Sequence, residues 1–139
     1  MLVHRADIEK YIPQRAPFVL VHQLIEASDI CAVTNFVIEK ECVLVEGGKL
    51  QELGLIENIA QTAAVQVGYR CAQQSIAIPI GYIAAIKDLK IYELPVIGAK
   101  IRTEIEVINL VLNMTLIKGI VSLNDSVVCE CEIRIFVKL

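Results

Sequence analysis

The chain has 139 residues, a formal charge of -3, 55% apolar residues and 21% charged ones. That length suits one core, and an apolar surplus in so small a chain is often buried between subunits, so one domain spanning 1–139 and a homodimer or larger assembly are expected. Acids and bases are interspersed without a Lys/Arg cluster among aromatics, which argues against nucleic acid as a partner.

The opening MLVHRADIEKYIPQRAP is charged throughout and lacks an apolar signal region, and no apolar run approaches the roughly 20 residues that cross a bilayer, so a cytoplasmic protein with no membrane segment is expected. Residues 5–12 form a short amphipathic start that Pro13 ends, because the residue before a proline is pushed out of the helical region. After the loop PQRAP, the segments FVLVHQLIEA (18–27) and ICAVTNFVIEK (30–40) are rich in β-branched and apolar residues. Ser28 and Asp29 separate them, which predicts two antiparallel strands joined by a tight turn. VLVE (43–46) is a further short strand, ended by Gly47-Gly48.

Residues 49–74 favour helix: Leu, Gln, Glu and Ala dominate and proline is absent. Between 55 and 68 apolar or small residues occupy nearly every side of the wheel, which marks a helix enclosed by protein. Strands follow at 80–94, 99–112, 114–124 and, after the Asn124-Asp125 turn, 126–139. In the second of these, Lys100, Arg102, Glu104 and Glu106 alternate with Ile101, Thr103, Ile105 and Val107, giving one wet and one mostly dry face. The five cysteines, Cys31, Cys42, Cys71, Cys129 and Cys131, include no CxxC pair, so neither a disulfide framework nor a zinc site has support. Cys129 and Cys131 share a strand face and read as small buried hydrophobes.

Two strands, a long enclosed helix and an antiparallel meander of three or four strands fit an α+β domain in which a curved antiparallel sheet wraps one central helix. The motifs sharpen this. YIPQRAPFVLVHQ (11–23) resembles the LPHRxPFLLVDR opening of 3-hydroxyacyl-acyl carrier protein dehydratases of the hotdog fold, and LIENIAQTAA (55–64) resembles their LxIExMAQxxG segment. Gly68 and Tyr69, IAAIKDLKI (83–91) and the stretch from Pro95 to Gly98 continue the match in order. The chain is similar to the branch of this superfamily found in aryl polyene and flexirubin pigment pathways.

In that family the ExxAQ carboxylate sits at the end of an acyl tunnel and acts with a histidine from the other chain of a dimer. The resemblance implies that Glu57 protonates a leaving hydroxyl and that Gln61, one turn later on the same helix face, holds it. Among Leu55, Ile56, Ile59 and Ala60 such a carboxylate would lose hydration, which favours its protonated form. Without the motif, Glu57 reads as a solvated or capping acid in an early helical turn. Gln14, together with the small Ala84 and Ala85 on the strand beside the thioester, is a substrate-binding candidate.

The sequence departs from the family where its catalytic histidine belongs. CVLVEGG stands in place of a GHFPG-type loop, and Gln14 replaces the histidine of the LPHR opening. The chain has two histidines, His4 and His22. His4 is close to the N-terminus and expected to be exposed. His22 stands where the family has Asp; it is either a base that enters the pocket or a hydrogen-bonded strand histidine near an interface. The resemblance therefore implies a dehydratase-like protein that acts on or binds 3-hydroxyacyl thioesters of acyl carrier protein or coenzyme A, in fatty acid or polyene-type biosynthesis, without cofactor or metal. The alternatives are an acyl thioesterase, whose carboxylate and water need no histidine, or a non-catalytic subunit paired with a histidine-bearing hotdog partner.

Overall fold

The computed structural model describes residues 1–138. A 3-10 helix, Arg5–Lys10, precedes strands β1 (Gln23–Ala27) and β2 (Cys31–Val37). Next come a miniature hairpin of β3 (Val45–Glu46) and β4 (Lys49–Leu50), helix α1 (Glu52–Gln73), and strands β5 (Ile80–Ile91), β6 (Lys100–Val111), β7 (Met114–Leu123) and β8 (Ser126–Lys138). Leu139, which the sequence reading placed at the end of the last strand, lies outside the described residues. Among the described residues no helix is long and apolar enough to cross a membrane.

Six antiparallel strands form one sheet in the order β1-β2-β6-β7-β8-β5. Helix α1 lies in the hollow of this sheet, with buried residues on every side, from Leu55 and Ile56 through Ile59, Thr62 and Val65 to Gly68. That is the enclosed helix read from its composition. The alternation in β6 also holds: Ile101, Thr103 and Ile105 are buried toward the helix, while Arg102, Glu104 and Glu106 are exposed on the outer face. On that outer face Glu106, Lys118, Glu132 and Lys87 stand in register across four strands, alternating in sign as cross-strand neighbours should.

Several elements differ from the sequence reading. The first strand begins at Gln23 instead of 18, because 18–22 is tied to the helix side chains of Asn58 and Gln61 instead of to a full ladder. The short strand after β2 covers only Val45–Glu46; Gly47 and Gly48, at φ 61 and 77, turn it back onto Lys49–Leu50, and the helix starts at Glu52. The meander contains three strands, β6-β7-β8, because β5 crosses to the far edge and pairs with β8. The crossing is anchored where the chain returns: Leu50 N–H donates to the Pro95 carbonyl at 2.9 Å and Gly98 N–H to the Ile38 carbonyl at 2.8 Å.

The two sheet edges are finished differently. Beside β1, the main chain of Leu2 and Val3 bonds Leu24, and a register shift between Leu24 and Glu26 breaks the ladder. Among the described residues β5 pairs only with β8 and leaves its other side open over twelve residues. Apolar side chains stand exposed along it, Ile80 at 50% and Tyr82 at 54% among them.

Candidate active site

The polar residues of GLIENIAQTAA (54–64) divide between two tasks. Asn58 and Thr62, successive on one helix face, meet Thr103 and Thr34, which face each other across the β2–β6 ladder. Thr34 and Thr62 hydroxyls lie 2.7 Å apart, and Thr62 donates to the Asn58 carbonyl at 2.8 Å. Since each hydroxyl has one proton, Thr34 is the donor to Thr62. Thr103 donates to Asn58 Oδ1, and Asn58 Nδ2 donates to the Leu20 carbonyl at 2.7 Å. The network is fully buried and fully paired, which lets polar side chains seat the helix at one register on the sheet.

Glu57 and Gln61 face the other way. Gln61 Oε1 accepts from Leu20 N–H at 2.7 Å, and its Nε2 donates to the Phe18 carbonyl at 2.9 Å and to Glu57 Oε2 at 3.2 Å. The half-buried Glu57 lies in the wall of a cavity of about 330 Å³ between α1 and the concave side of β5, β7 and β8. Glu57, Ala60, Ala64 and Val67 follow one another along a single line of the helix, and all four border this cavity. The three residues that follow the acid on this line are small or modest in size, so the helix surface recedes along the cavity over a span of about 15 Å, at 1.5 Å rise per residue. Ile83, Ile117 and Ile135 supply an apolar wall opposite. This is the form of an apolar ligand site with few polar groups.

The segment 11–14, which borders the cavity, is fixed by close contact. A Cβ on Gly68 would collide with the Tyr11 carbonyl, so only glycine lets residues 11–14 lie against the helix. The Tyr11 and Tyr69 rings pack with centroids 5.9 Å apart. Gln14 follows on this segment and borders the cavity; its Oε1 is shielded from water and has no hydrogen-bond partner.

The other sequence candidates are placed elsewhere. His22 is 7% exposed and borders a second depression of about 410 Å³ with Arg5, Phe36 and Glu39. Its Nδ1 accepts from Val37 N–H at 3.2 Å and its Nε2 faces Glu39 Oε1 at 3.2 Å, while Arg5 takes the same oxygen at 2.6 Å. Burial, reinforced by the Arg5 charge, pushes His22 down to about 4 despite Glu39, so the imidazole is neutral at pH 7. The chain does not bring His22 to Glu57, and His4 is exposed. Ala85 pairs with Arg134 on the outer face and Ala84 falls in a bulge; the β5 residues at the cavity are Gly81, Tyr82 and Ile83. Cys129 and Cys131 are buried, and burial pushes their thiols up to about 12 and about 11, leaving them inert packing residues. Ala60 was named from the sequence as part of the apolar surroundings of Glu57, whereas the lining residues Ala64 and Val67 were not singled out, although their spacing from Glu57 by seven and ten residues carries the signal.

Solved structures share this architecture. The dehydratase heterocomplex ApeI:P from Xenorhabdus doucetiae matches with a TM-score of 0.88 at 18% identity, over 95% of this chain and 91% of that one. A hypothetical thioesterase with coenzyme A from Streptococcus pneumoniae matches with a TM-score of 0.66 at 12% identity, over 84% of each chain. The Escherichia coli PaaI protein of the phenylacetic acid degradation operon matches with a TM-score of 0.64 at 11% identity, over 82% of this chain and 81% of that one. At these identities the matches establish the fold, the hotdog fold anticipated from the motifs. No curated protein matches in sequence. The family model for ApeP dehydratase, by contrast, matches residues 6–138, and the chain therefore belongs to the ApeP-like family of dehydratases, the aryl polyene branch that its motifs resemble.

Proposed function

We propose that this protein supplies the carboxylate half of a two-chain dehydratase site acting on 3-hydroxyacyl thioesters of an acyl carrier protein, and that the histidine comes from a second hotdog chain. The observation that carries this reading is a half-buried carboxylate, held by Gln61, in a cavity whose described lining contains no histidine. The reaction balances with one group from each chain. The partner's histidine removes a proton from substrate C2, and the electron pair forms the C2–C3 double bond as the C3–O bond breaks. Glu57 gives its proton to the departing hydroxyl, which leaves as water; the histidine's proton is then returned through solvent. Two features support a two-chain site. A neighbour of the same fold is a heterocomplex, and the open edge strand β5 contributes to the cavity, so a chain paired there would lie next to it.

The test is reconstitution. The purified chain and a histidine-bearing hotdog partner are each incubated with a 3-hydroxyacyl-carrier protein, separately and mixed, and loss of one water from the acyl group is followed by mass spectrometry. Turnover is expected in the mixture and not in this chain alone, and Glu57→Gln in the mixture should lower it by at least about 100-fold. Turnover by this chain alone at the rate of the mixture would overturn the two-chain reading. Release of a free acyl acid and thiol, with no enoyl product, would assign the carboxylate to thioester hydrolysis instead.

A further inference from the structure

Protein interiors are packed as densely as organic crystals, and an apolar void is destabilising because its lining has no partner atoms on one side. Helix α1 shows both situations. At Gly119 of β7 it is packed to contact, since even a Cβ there would collide with the Ile59 side chain. Toward β5 and β8 it presents Ala60 and Ala64 instead, and the facing Ile83, Ile117 and Ile135 do not close the gap, so about 330 Å³ stays open. Larger apolar side chains at 60 and 64 would fill that space and add helix–sheet contact; the small ones keep room for an apolar occupant.

The acid fixes how that occupant lies. Among the described residues of α1 none before Glu57 borders the cavity, whereas Ala60, Ala64 and Val67 after it do, so the apolar line runs from the acid toward the helix C-terminus. With C3 of a substrate at Glu57, the thioester carbon is two bonds away. The polar amides of a pantetheine arm find no partners between Ala60, Ala64 and the three isoleucines, so it is the hydrocarbon end that follows the line. From Glu57 to Val67 the helix rises about 15 Å. An extended chain of tetrahedral carbons with bonds of about 1.5 Å advances about 1.25 Å per carbon, so about twelve carbons beyond C3 span it. Val67 is 36% exposed, and a longer chain passes there into solvent.

We infer that the acyl chain lies along α1 in this way, that the site selects 3-hydroxyacyl thioesters with about eight to twelve carbons beyond C3 over short ones, and that Ala64, about 10 Å along the helix from the acid, is the residue that admits them. The inference rests on the reading of this cavity as an acyl-thioester site and adds to it the class of chain and the residue that sets it. A bulkier side chain at 64 leans toward the helix N-terminus and into the path, so only chains that end before it fit.

The experiment compares 3-hydroxyacyl coenzyme A thioesters of six, fourteen and eighteen carbons as substrates of the mixture with the histidine-bearing partner, the rate of the Glu57→Gln mixture being subtracted from each. Binding by titration calorimetry and melting temperatures are measured alongside, for the parent and for Ala64→Leu. In the parent kcat/KM should rise at least about tenfold from six carbons to fourteen and stay level to eighteen, because added methylenes are buried only as far as Val67. Ala64→Leu should lower the fourteen-carbon value at least about tenfold and leave the six-carbon value within about twofold. Its melting temperature should hold, since leucine is a good helix former. A variant that keeps the full fourteen-carbon rate overturns the inference, and so does one that loses both chains alike, which marks a general effect on the fold or the acid. Dehydration by the parent at equal rates for all lengths overturns it while leaving the acyl-site reading standing. If no thioester of any length binds or loses water, that reading fails, and this inference with it.

Discussion

Gln61 ties the acid to the main chain: the amide nitrogen that lies 3.2 Å from Glu57 Oε2 also holds the Phe18 carbonyl, while its oxygen holds Leu20 N–H. Every hydrogen-bonding position of the amide that the fold uses has a distinct partner, so its orientation is set by the backbone and the carboxylate inherits that placement. Gln61→Ala leaves the buried Leu20 N–H and the part-buried Phe18 carbonyl without this partner and should cost about 1–3 kcal/mol. Gln61→Glu can still accept from Leu20, but its second oxygen then faces both Phe18 O and Glu57, so its loss should be at least as large. Urea denaturation of the two variants checks this; stability equal to the parent's in either would contradict it.

Gly68 sets how close residues 11–14 come to the helix. In Gly68→Ala the added methyl meets the Tyr11 carbonyl, and one of the two elements has to move. Overpacking of this kind costs about 1–3 kcal/mol. Because residues 11–14 move with Tyr11, thioester affinity should fall along with melting temperature. A control at the exposed Ala72, changed to Ser, should leave both unaltered.

His22 makes stability depend on pH. Its folded value of about 4 lies below the usual 6.5, so between those limits the unfolded chain holds a proton that the folded chain does not. Stability from this group is therefore complete above about pH 6.5 and is lost as pH falls toward 4, by at most about 3 kcal/mol. Denaturation midpoints measured from pH 7 to 4.5 should decline in the parent and decline less in His22→Gln. Parallel curves for the two proteins would show that burial of His22 is not the cause.

The open edge of β5 predicts assembly. Replacing Ile86 and Leu89, both exposed on this strand, with lysine should leave the helix signal in circular dichroism unchanged. It should shift the light-scattering mass from an oligomer, alone or with the partner chain, to the 15.4 kDa of one chain. A parent that already scatters as a single chain at micromolar concentration, with or without the partner, would refute the prediction.

Local patterns of side chains carried much of this fold. The enclosed helix was legible because apolar residues surround its axis, and β6 because charges alternate with isoleucines; both are properties of neighbours along the chain. The ExxAQ spacing likewise put Glu57 and Gln61 within one turn of each other, and the absence of a family histidine in the 42–48 segment is a plain property of the residues.

What the tertiary structure decided depends on contacts between distant segments. Nothing local distinguishes β5 from the three meander strands, and only pairing with β8, far along the chain, sends it to the open edge and leaves Ala84 and Ala85 off the cavity. Asn58 and Thr62 read as polar interruptions until Thr103, Thr34 and the Leu20 carbonyl arrive to pair them. His22 stands only eight residues beyond Gln14 in sequence, yet it borders a different depression, because Val37 and Glu39 hold its two ring nitrogens. Hydrogen bonds to buried groups are satisfied by whatever the fold brings near, so their partners are fixed in space and cannot be read from the order of residues.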